Sequence, residues 1–345
     1  MTARNTKAAQ LGHQSGALRV RGSVLLASIC ATALAAGPAA SAAEHPSLAA
    51  GGAAVSVVSH ITATQLIQSN GNLYWAANVE AEFSPTPASV YRTSKSGTPG
   101  SERLLYRVPT GSYFRSLTYA KVGGVWSGYF IAEEPGATRI KRIPLAGGAA
   151  TVVATLQQNS GANHLVNDGT TLFWSDSAGV RAMPIGGGAV RILASRLLVQ
   201  AVGLDAFYVY FVVGNNVLRV GKTGGAIGTV VAGSSAITAM YVYSSAPTVI
   251  YWGERSGVVK SHAVGGVPTT VYQPIQNGRY TTSVSFDGTH VRWADCTLNT
   301  LQCAVRVHSP GGDVSLLSAS GAHDVQGDAT GTFWADSDGV KRYTT

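Results

Sequence analysis

The feature that most constrains this chain is an aromatic pair, or a close variant of it, that returns seven times. The pairs are Tyr74-Trp75, Tyr129-Phe130, Phe173-Trp174, Tyr210-Phe211, Tyr251-Trp252, Arg292-Trp293 and Phe333-Trp334. Their second members fall 55, 44, 37, 41, 41 and 41 residues apart. A unit of about 40 residues has too little apolar surface to close a core by itself, so such units stack on their neighbours, and a repeat architecture follows.

Other landmarks keep step. An aspartate (Asp168, Asp205, Asp287 or Asp328) lies six residues before the second aromatic in four units. Paired glycines follow downstream, at Gly147-Gly148, Gly187-Gly188, Gly224-Gly225, Gly265-Gly266 and Gly311-Gly312. β-Branched and aromatic runs lie between these punctuation points, so each unit reads as four short strands. No segment beyond residue 42 carries an apolar period of 3.6 residues. Four-stranded units repeated this way describe the blades of a β-propeller. Six units are complete, starting near Thr62, Ser112, Gly161, Arg196, Ala236 and Arg279. The seventh, from Gly321, breaks off at Thr345 before its fourth strand. "GGAAVSVVSH" at 51–60 matches "GGAATVVATL" at 147–156. The expectation is an all-β, seven-bladed propeller over 51–345, its last blade completed by the N-terminal strand.

Residues 1–42 read as a secretory signal peptide. Arg4, Lys7, Arg19 and Arg21 precede an apolar run of 13 residues, Val24–Ala36, and Ala40-Ser41-Ala42 supplies a small-residue cleavage site. The run is too short to span a bilayer as a helix. Cleavage is expected after Ala42, with an Ala-rich linker at 43–50 and a secreted or periplasmic product. The leader holds four of the 25 basic residues and none of the 17 acidic ones, which leaves a net charge of +4. No run of five Lys or Arg is present, so nucleic acid is not an expected partner. Cys296 and Cys303 form an even pair in an exported chain and are expected to be bonded to each other.

Four units resemble the Tyr-Trp-Thr-Asp repeats of propellers in low-density-lipoprotein-receptor-like proteins, and more closely the exported bacterial propellers built from similar repeats. The residues are Tyr251-Trp252-Gly253-Glu254, Phe173-Trp174-Ser175-Asp176, Arg292-Trp293-Ala294-Asp295 and Phe333-Trp334-Ala335-Asp336. The third motif residue departs throughout, and the receptor propellers have six blades. The resemblance implies binding through a propeller face rather than catalysis.

A base follows each motif acid on the next strand: Arg181 after Asp176, Lys260 after Glu254, Arg306 after Asp295 and Lys341 after Asp336. Hairpin neighbours of opposite charge read as structural ion pairs. The aspartates before the aromatics read as turn formers. "ADSDG" at 335–339 lacks the length and terminal glutamate of a calcium loop. "GKT" at 221–223 leads into a glycine hairpin rather than a helix, so it is no phosphate-binding loop. No metal or other cofactor is expected.

Chemistry could sit in the axial channel, which the first strand of each blade lines. His164, His323 and Asp324 are the candidates there, as metal ligands or acid–base groups; propeller lactonases and streptogramin lyases use such a location. On the face of the second-to-third-strand loops, blades six, seven and one carry the elaborated segments: the Cys296–Cys303 loop, Asp336 and Asp338, and Val79–Pro87 with Glu80 and Glu82. Loops on a rigid scaffold commonly hold binding function. The expectation is a monomeric binding module for a protein or glycan, with a channel-mouth hydrolase or lyase, or a purely structural surface protein, as the alternatives.

Overall fold

The computed structural model describes residues 54–344, apart from 60–62, 78–87, 196–197, 234, 275–277, 299–301, 313 and 319–320. The segments expected to be a signal peptide and a linker, residues 1–50, and Glu80 and Glu82 lie outside the described residues. Every described strand belongs to one of seven four-stranded antiparallel sheets, and the chain is a seven-bladed β-propeller. The inner strands are Ala63–Ser69, Tyr113–Val122, Asn163–Asn167, Ala201–Leu204, Ile237–Tyr243, Arg279–Phe286 and Asp324–Asp328, for blades one to seven.

Blade seven is built from both ends of the sequence. Its inner three strands are Asp324–Asp328, Gly331–Asp336 and Gly339–Tyr343, and its outer strand is Val55–Ser59. The joining register sets Val55 opposite Arg342, Ser56 opposite Lys341 and Val58 opposite Val340.

Seven apolar clusters sit at the seven blade junctions. The aromatic pair explains them. Consecutive residues of a strand point to opposite faces of its sheet. The second aromatic of each blade therefore packs toward the preceding blade: Trp75 against blade seven, Phe130 against blade one, Trp174 against blade two, and so on to Trp334 against blade six. The first aromatic packs toward the following blade, as Phe173 does toward blade four and Phe333 toward blade one. All seven second aromatics are buried to 1% exposure or less. Truncating such a ring to alanine costs about 3–5 kcal/mol. Blade six shows what the position requires when the first aromatic is absent. Arg292 occupies it, 3% exposed, and its Nε donates to Thr332 Oγ1 of blade seven at 2.8 Å while its Nη1 donates to Asp287 at 2.7 Å.

One blade departs from the repeat, and one glycine is fixed by its packing. Blade two extends its first hairpin to two ten-residue strands, Tyr113–Val122 and Val125–Glu134, closed by Gly123-Gly124. Gly179, in "DSAG", has φ 134°, and a Cβ there would lie 2.0 Å from the carbonyl oxygen of Ala194 on the outer strand. Glycine is required because the outer strand crosses so close to the hairpin.

Candidate functional site

The channel candidates are organised by one step of the repeat. Opposite the second aromatic of a blade stands an apolar inner-strand residue, such as Leu66 opposite Trp75 or Val325 opposite Trp334. The residue before it is Gln65, Ser116, His164, Ala201, Ala239, Ser283 or Asp324 in blades one to seven. His164 and Asp324 thus occupy the same structural position in different blades. The position has a task wherever it carries a hydroxyl or carboxylate: it accepts the N–H of the apolar residue one blade on. Ser116 Oγ accepts from Leu165 at 2.9 Å, Ser283 Oγ from Val325 at 3.3 Å, and Asp324 Oδ2 from Leu66 at 2.9 Å. Gln65 reaches the same way with its amide, donating to the Arg115 carbonyl at 3.0 Å.

Asp324 also accepts from Ser283 Oγ at 2.7 Å and from the Val325 N–H at 2.8 Å, so one carboxylate ties blades six, seven and one. Burial lifts its pKa to about 6, against the lowering effect of those hydrogen bonds. At neutral pH it is an anion whose lone pairs are engaged by the fold. His164 sits in a bulge of its strand with φ 51°, an uncommon conformation outside glycine. Its N–H donates to Asn163 Oδ1, and burial lowers its pKa to about 4, so the imidazole is neutral at physiological pH. His323 donates its N–H to the Ala335 carbonyl at 2.8 Å; burial lowers its pKa and the nearby Asp336 charge opposes that. Tyr119 and Tyr241, from blades two and five, also belong to the inner strands; burial raises both phenols, and the proximity of Tyr119 adds to the shift of Tyr241. Among the described residues no group of three or more His, Cys, Asp or Glu could hold a metal ion.

On the face of the second-to-third-strand hairpins, Cys296 and Cys303 stand directly opposite each other and are disulfide-bonded. The motif acids are ion-paired across the hairpin. Asp176 pairs with Arg181 at 2.8 Å, Glu254 with Lys260 at 2.9 Å, Asp295 with Arg306 at 2.9 Å and Asp336 with Lys341 at 2.9 Å. Asp295 also binds Arg279, from the start of its inner strand. Asp336 is fully buried, whereas the Asp338 side chain is 57% exposed. The face therefore offers Asp338 to solvent and keeps Asp336 inside the blade.

The opposite face, of the first-to-second-strand turns, holds what sequence reading passed over. The turn aspartates cap their own turns: Asp168 accepts from Thr170 and Thr171, Asp205 from Phe207 and Tyr208, and Asp287 from Thr289 and His290. They also reach the next blade. Lys222 of blade four pairs with Asp168 of blade three at 3.1 Å, and Lys95 of blade one pairs with Asp328 of blade seven. Both lysines directly follow the third strand of their blade, a shared step that could have revealed the bridge in advance. Asp205 accepts Tyr210 Oη at 2.7 Å and Thr248 Oγ1 of blade five at 2.9 Å. Where blades three, four and five meet, these turns surround an open recess of about 460 Å³ lined by Asn167, Asp168, Thr170, Asp205, Lys222 and Ser244, with Leu204 and Ala206.

No family model matches the chain, and no curated protein matches it in sequence. Solved structures do match its fold. A computationally designed protein, Ika8, is 15% identical with a TM-score of 0.53, over 84% of this chain and 98% of the designed one. PorZ, an essential bacterial surface component of the type-IX secretion system of Porphyromonas gingivalis, is 13% identical with a TM-score of 0.58, over 83% of this chain and 37% of its own. The extracellular domain of BT4673 from B. thetaiotaomicron is 8% identical with a TM-score of 0.57, over 86% of this chain and 39% of the other. The chain thus spans about two fifths of the length of those last two, and identities this low establish the fold alone.

Proposed function

We propose that the protein is an exported, monomeric binding module that presents a propeller face to a protein or glycan partner outside the cytoplasm, after loss of a signal peptide at Ala42. The observation that carries this reading is the commitment of the channel carboxylate. Asp324 is the group whose pKa best suits proton transfer near neutrality, yet its oxygens accept bonds from three blades and hold the ring. The motif acids are likewise engaged in ion pairs, whereas Asp338, 3.7 Å from Lys341, keeps a side chain 57% exposed that a partner can reach. The disulfide and the two similar structures described as a surface component and an extracellular domain support the compartment. We also read the four Trp-x-acid units as relatives of the Tyr-Trp-Thr-Asp type, since their acids share one ion-pairing role.

The test is a titration of the mature protein against extracellular proteins and a glycan array. Saturable binding that is lost in Glu80→Lys, Glu82→Lys, Asp338→Lys, or a combination of them, and kept in His164→Ala and His323→Ala, supports the module. The second reading, a hydrolase or lyase at the channel mouth, is favoured by the left-handed backbone and neutral imidazole of His164. Turnover of a lactone or glycoside that vanishes in His164→Ala would replace the binding reading with that one.

A further inference from the structure

We propose that the recess between blades three, four and five is a saccharide subsite for a neutral glycan, on the face opposite the loops of blades six, seven and one. The inference rests on the binding-module reading and names one ligand class and one place for it.

The recess lies within the ~300–1,000 Å³ range of small-molecule sites, at about 460 Å³. Its lining holds both hydrogen-bond donors and acceptors. Ser244 supplies a hydroxyl, Thr170 a hydroxyl that donates to Asp168 at 2.8 Å, Lys222 an ammonium and Asp168 a carboxylate, the last two with side chains 17% and 22% exposed. Asp168 and Lys222 stand 3.1 Å apart, so one sugar hydroxyl can donate to the carboxylate while it accepts from the ammonium. Such paired recognition discriminates a hydroxyl from a simple hydrocarbon or a lone ion. Phe207, 74% exposed, directly follows the lining residue Ala206, and its carbonyl accepts the N–H of the lining residue Lys222 at 3.1 Å. A large exposed ring on a turn otherwise made of small and polar residues offers a flat apolar face for the C–H surface of a pyranose.

Charge decides against an anionic ligand. Burial works to raise Asp168 and Asp205, but hydrogen bonds outweigh it, from Thr170 and Lys222 to Asp168 and from Tyr210 and the Tyr208 N–H to Asp205. Both carboxyls are held below the ordinary range and stay ionised. The lone Lys222 is already paired, so the lining carries a net negative charge that repels phosphate, sulfate or uronate.

The experiment is isothermal titration of the mature protein with neutral oligosaccharides selected from an array of gluco-, galacto-, manno- and N-acetylated oligomers. The expected result is saturable binding that weakens at least tenfold in Phe207→Ala and in Ala206→Trp, which fills the recess. Unchanged melting temperatures would show that both variants fold. Lys222→Met should also weaken binding, and an added anionic oligosaccharide should not compete. Absence of saturable binding to any neutral saccharide, or binding indifferent to both Phe207→Ala and Ala206→Trp, overturns the inference. If binding is lost instead in the Asp338→Lys variant, the module stands and the recess is not its sugar site. If neither group of variants changes binding and His164→Ala abolishes a turnover, the module reading fails as well.

Discussion

Blades four and seven solve the same packing problem with different materials. Blade four is one continuous stretch of chain, and its inner strand, Ala201–Leu204, offers only Ala201 at the step where blades one, two, six and seven send Gln65, Ser116, Ser283 and Asp324 to a neighbour. Its junction with blade five combines one polar bond, Thr248 Oγ1 to Asp205 at 2.9 Å, with close fit of shape. Gly203 lies so close to Val242 that a Cβ would approach its Cγ2 to 2.5 Å. Blade seven is assembled from strands 265 positions or more apart, Val55–Ser59 and Asp324–Tyr343, and is laced on both sides. Asp324 reaches blade one and takes a bond from Ser283 of blade six. Gln68 Nε2 donates to the Gly327 carbonyl at 2.7 Å, Arg342 Nη1 to the Lys95 carbonyl at 2.9 Å, and Lys95 pairs with Asp328. The difference teaches that polar lacing is concentrated where chain connectivity is weakest. A blade that is one hairpin series keeps its own strands together, whereas the composite blade depends on its neighbours to stay assembled.

Removing an outer strand from each blade breaks the comparison most directly. Deletion of 51–59 strips Val57 and Val58, both fully buried, and exposes the edge of Gly339–Tyr343. The two valines alone account for roughly 3–6 kcal/mol, and we expect loss of the cooperative melt and concentration-dependent aggregation. Deleting 228–232, the outer strand of blade four, should cost less and leave a cooperative transition. Equal melting temperatures for the two deletions would refute the contrast. Deleting 43–50 should change nothing measurable.

The next effect is electrostatic. Asp295→Ala leaves Arg279 and Arg306 facing each other beside a fully buried site, at a cost of about 3–5 kcal/mol by chemical denaturation. Asp176→Ala removes one partly exposed pair and should cost about 1 kcal/mol or less.

Asp324 sharpens the comparison through pH. Its folded pKa, about 6, lies above the ordinary 3.8, so the native state binds this proton more tightly than the unfolded chain does. Its contribution to stability is therefore greatest below about pH 4 and declines as pH rises through 6, by on the order of 2–3 kcal/mol. His164 works in the opposite sense. Its folded pKa of about 4 lies below 6.5, so stability is lost as pH falls through that window. The difference in unfolding free energy between the protein and Asp324→Asn, followed from pH 4 to 7.5, isolates the first term. A flat difference would show that the carboxyl is not held in the fold as described. The disulfide has an effect of similar size: changing both Cys296 and Cys303 to Ser should cost roughly 2 kcal/mol and leave the ring folded, as read by near-ultraviolet circular dichroism.

Much of this architecture was legible in the sequence because one physical rule repeats. A strand that packs between two blades presents a large side chain to each, so the aromatic pair, or Arg292-Trp293 in blade six, recurs once per blade and marks it. The strand match at 51–60 likewise located the outer strand of blade seven. The ion pairs of Asp176, Glu254, Asp295 and Asp336 could be read because hairpin partners are close in sequence. The lacing could not. Its acceptors are Ser116, Ser283 and Asp324, chemically unlike residues at a common step, and their partners lie 49, 42 and 258 residues away. Asp324 was noticed for its chemistry, next to His323, rather than for its position in the ring. The recess escaped for a related reason: Asp168 and Asp205 looked complete as turn formers, and the Lys222 that pairs with Asp168 lies in the next blade, 54 residues on.

The register of Val55 with Arg342 has a consequence in time. The strand at 55–59 leaves the ribosome before every other described strand, and its partner is the last of the described strands to follow. For nearly the whole of synthesis Val57 and Val58 have nowhere to go, and the six contiguous blades must assemble around a ring that is still open. Closing a loop of that length costs little more entropy than closing one half as long, but it cannot begin until both ends exist. The contact that closes the ring is therefore the one with the greatest separation along the chain, and it forms only after the whole array of blades has been made.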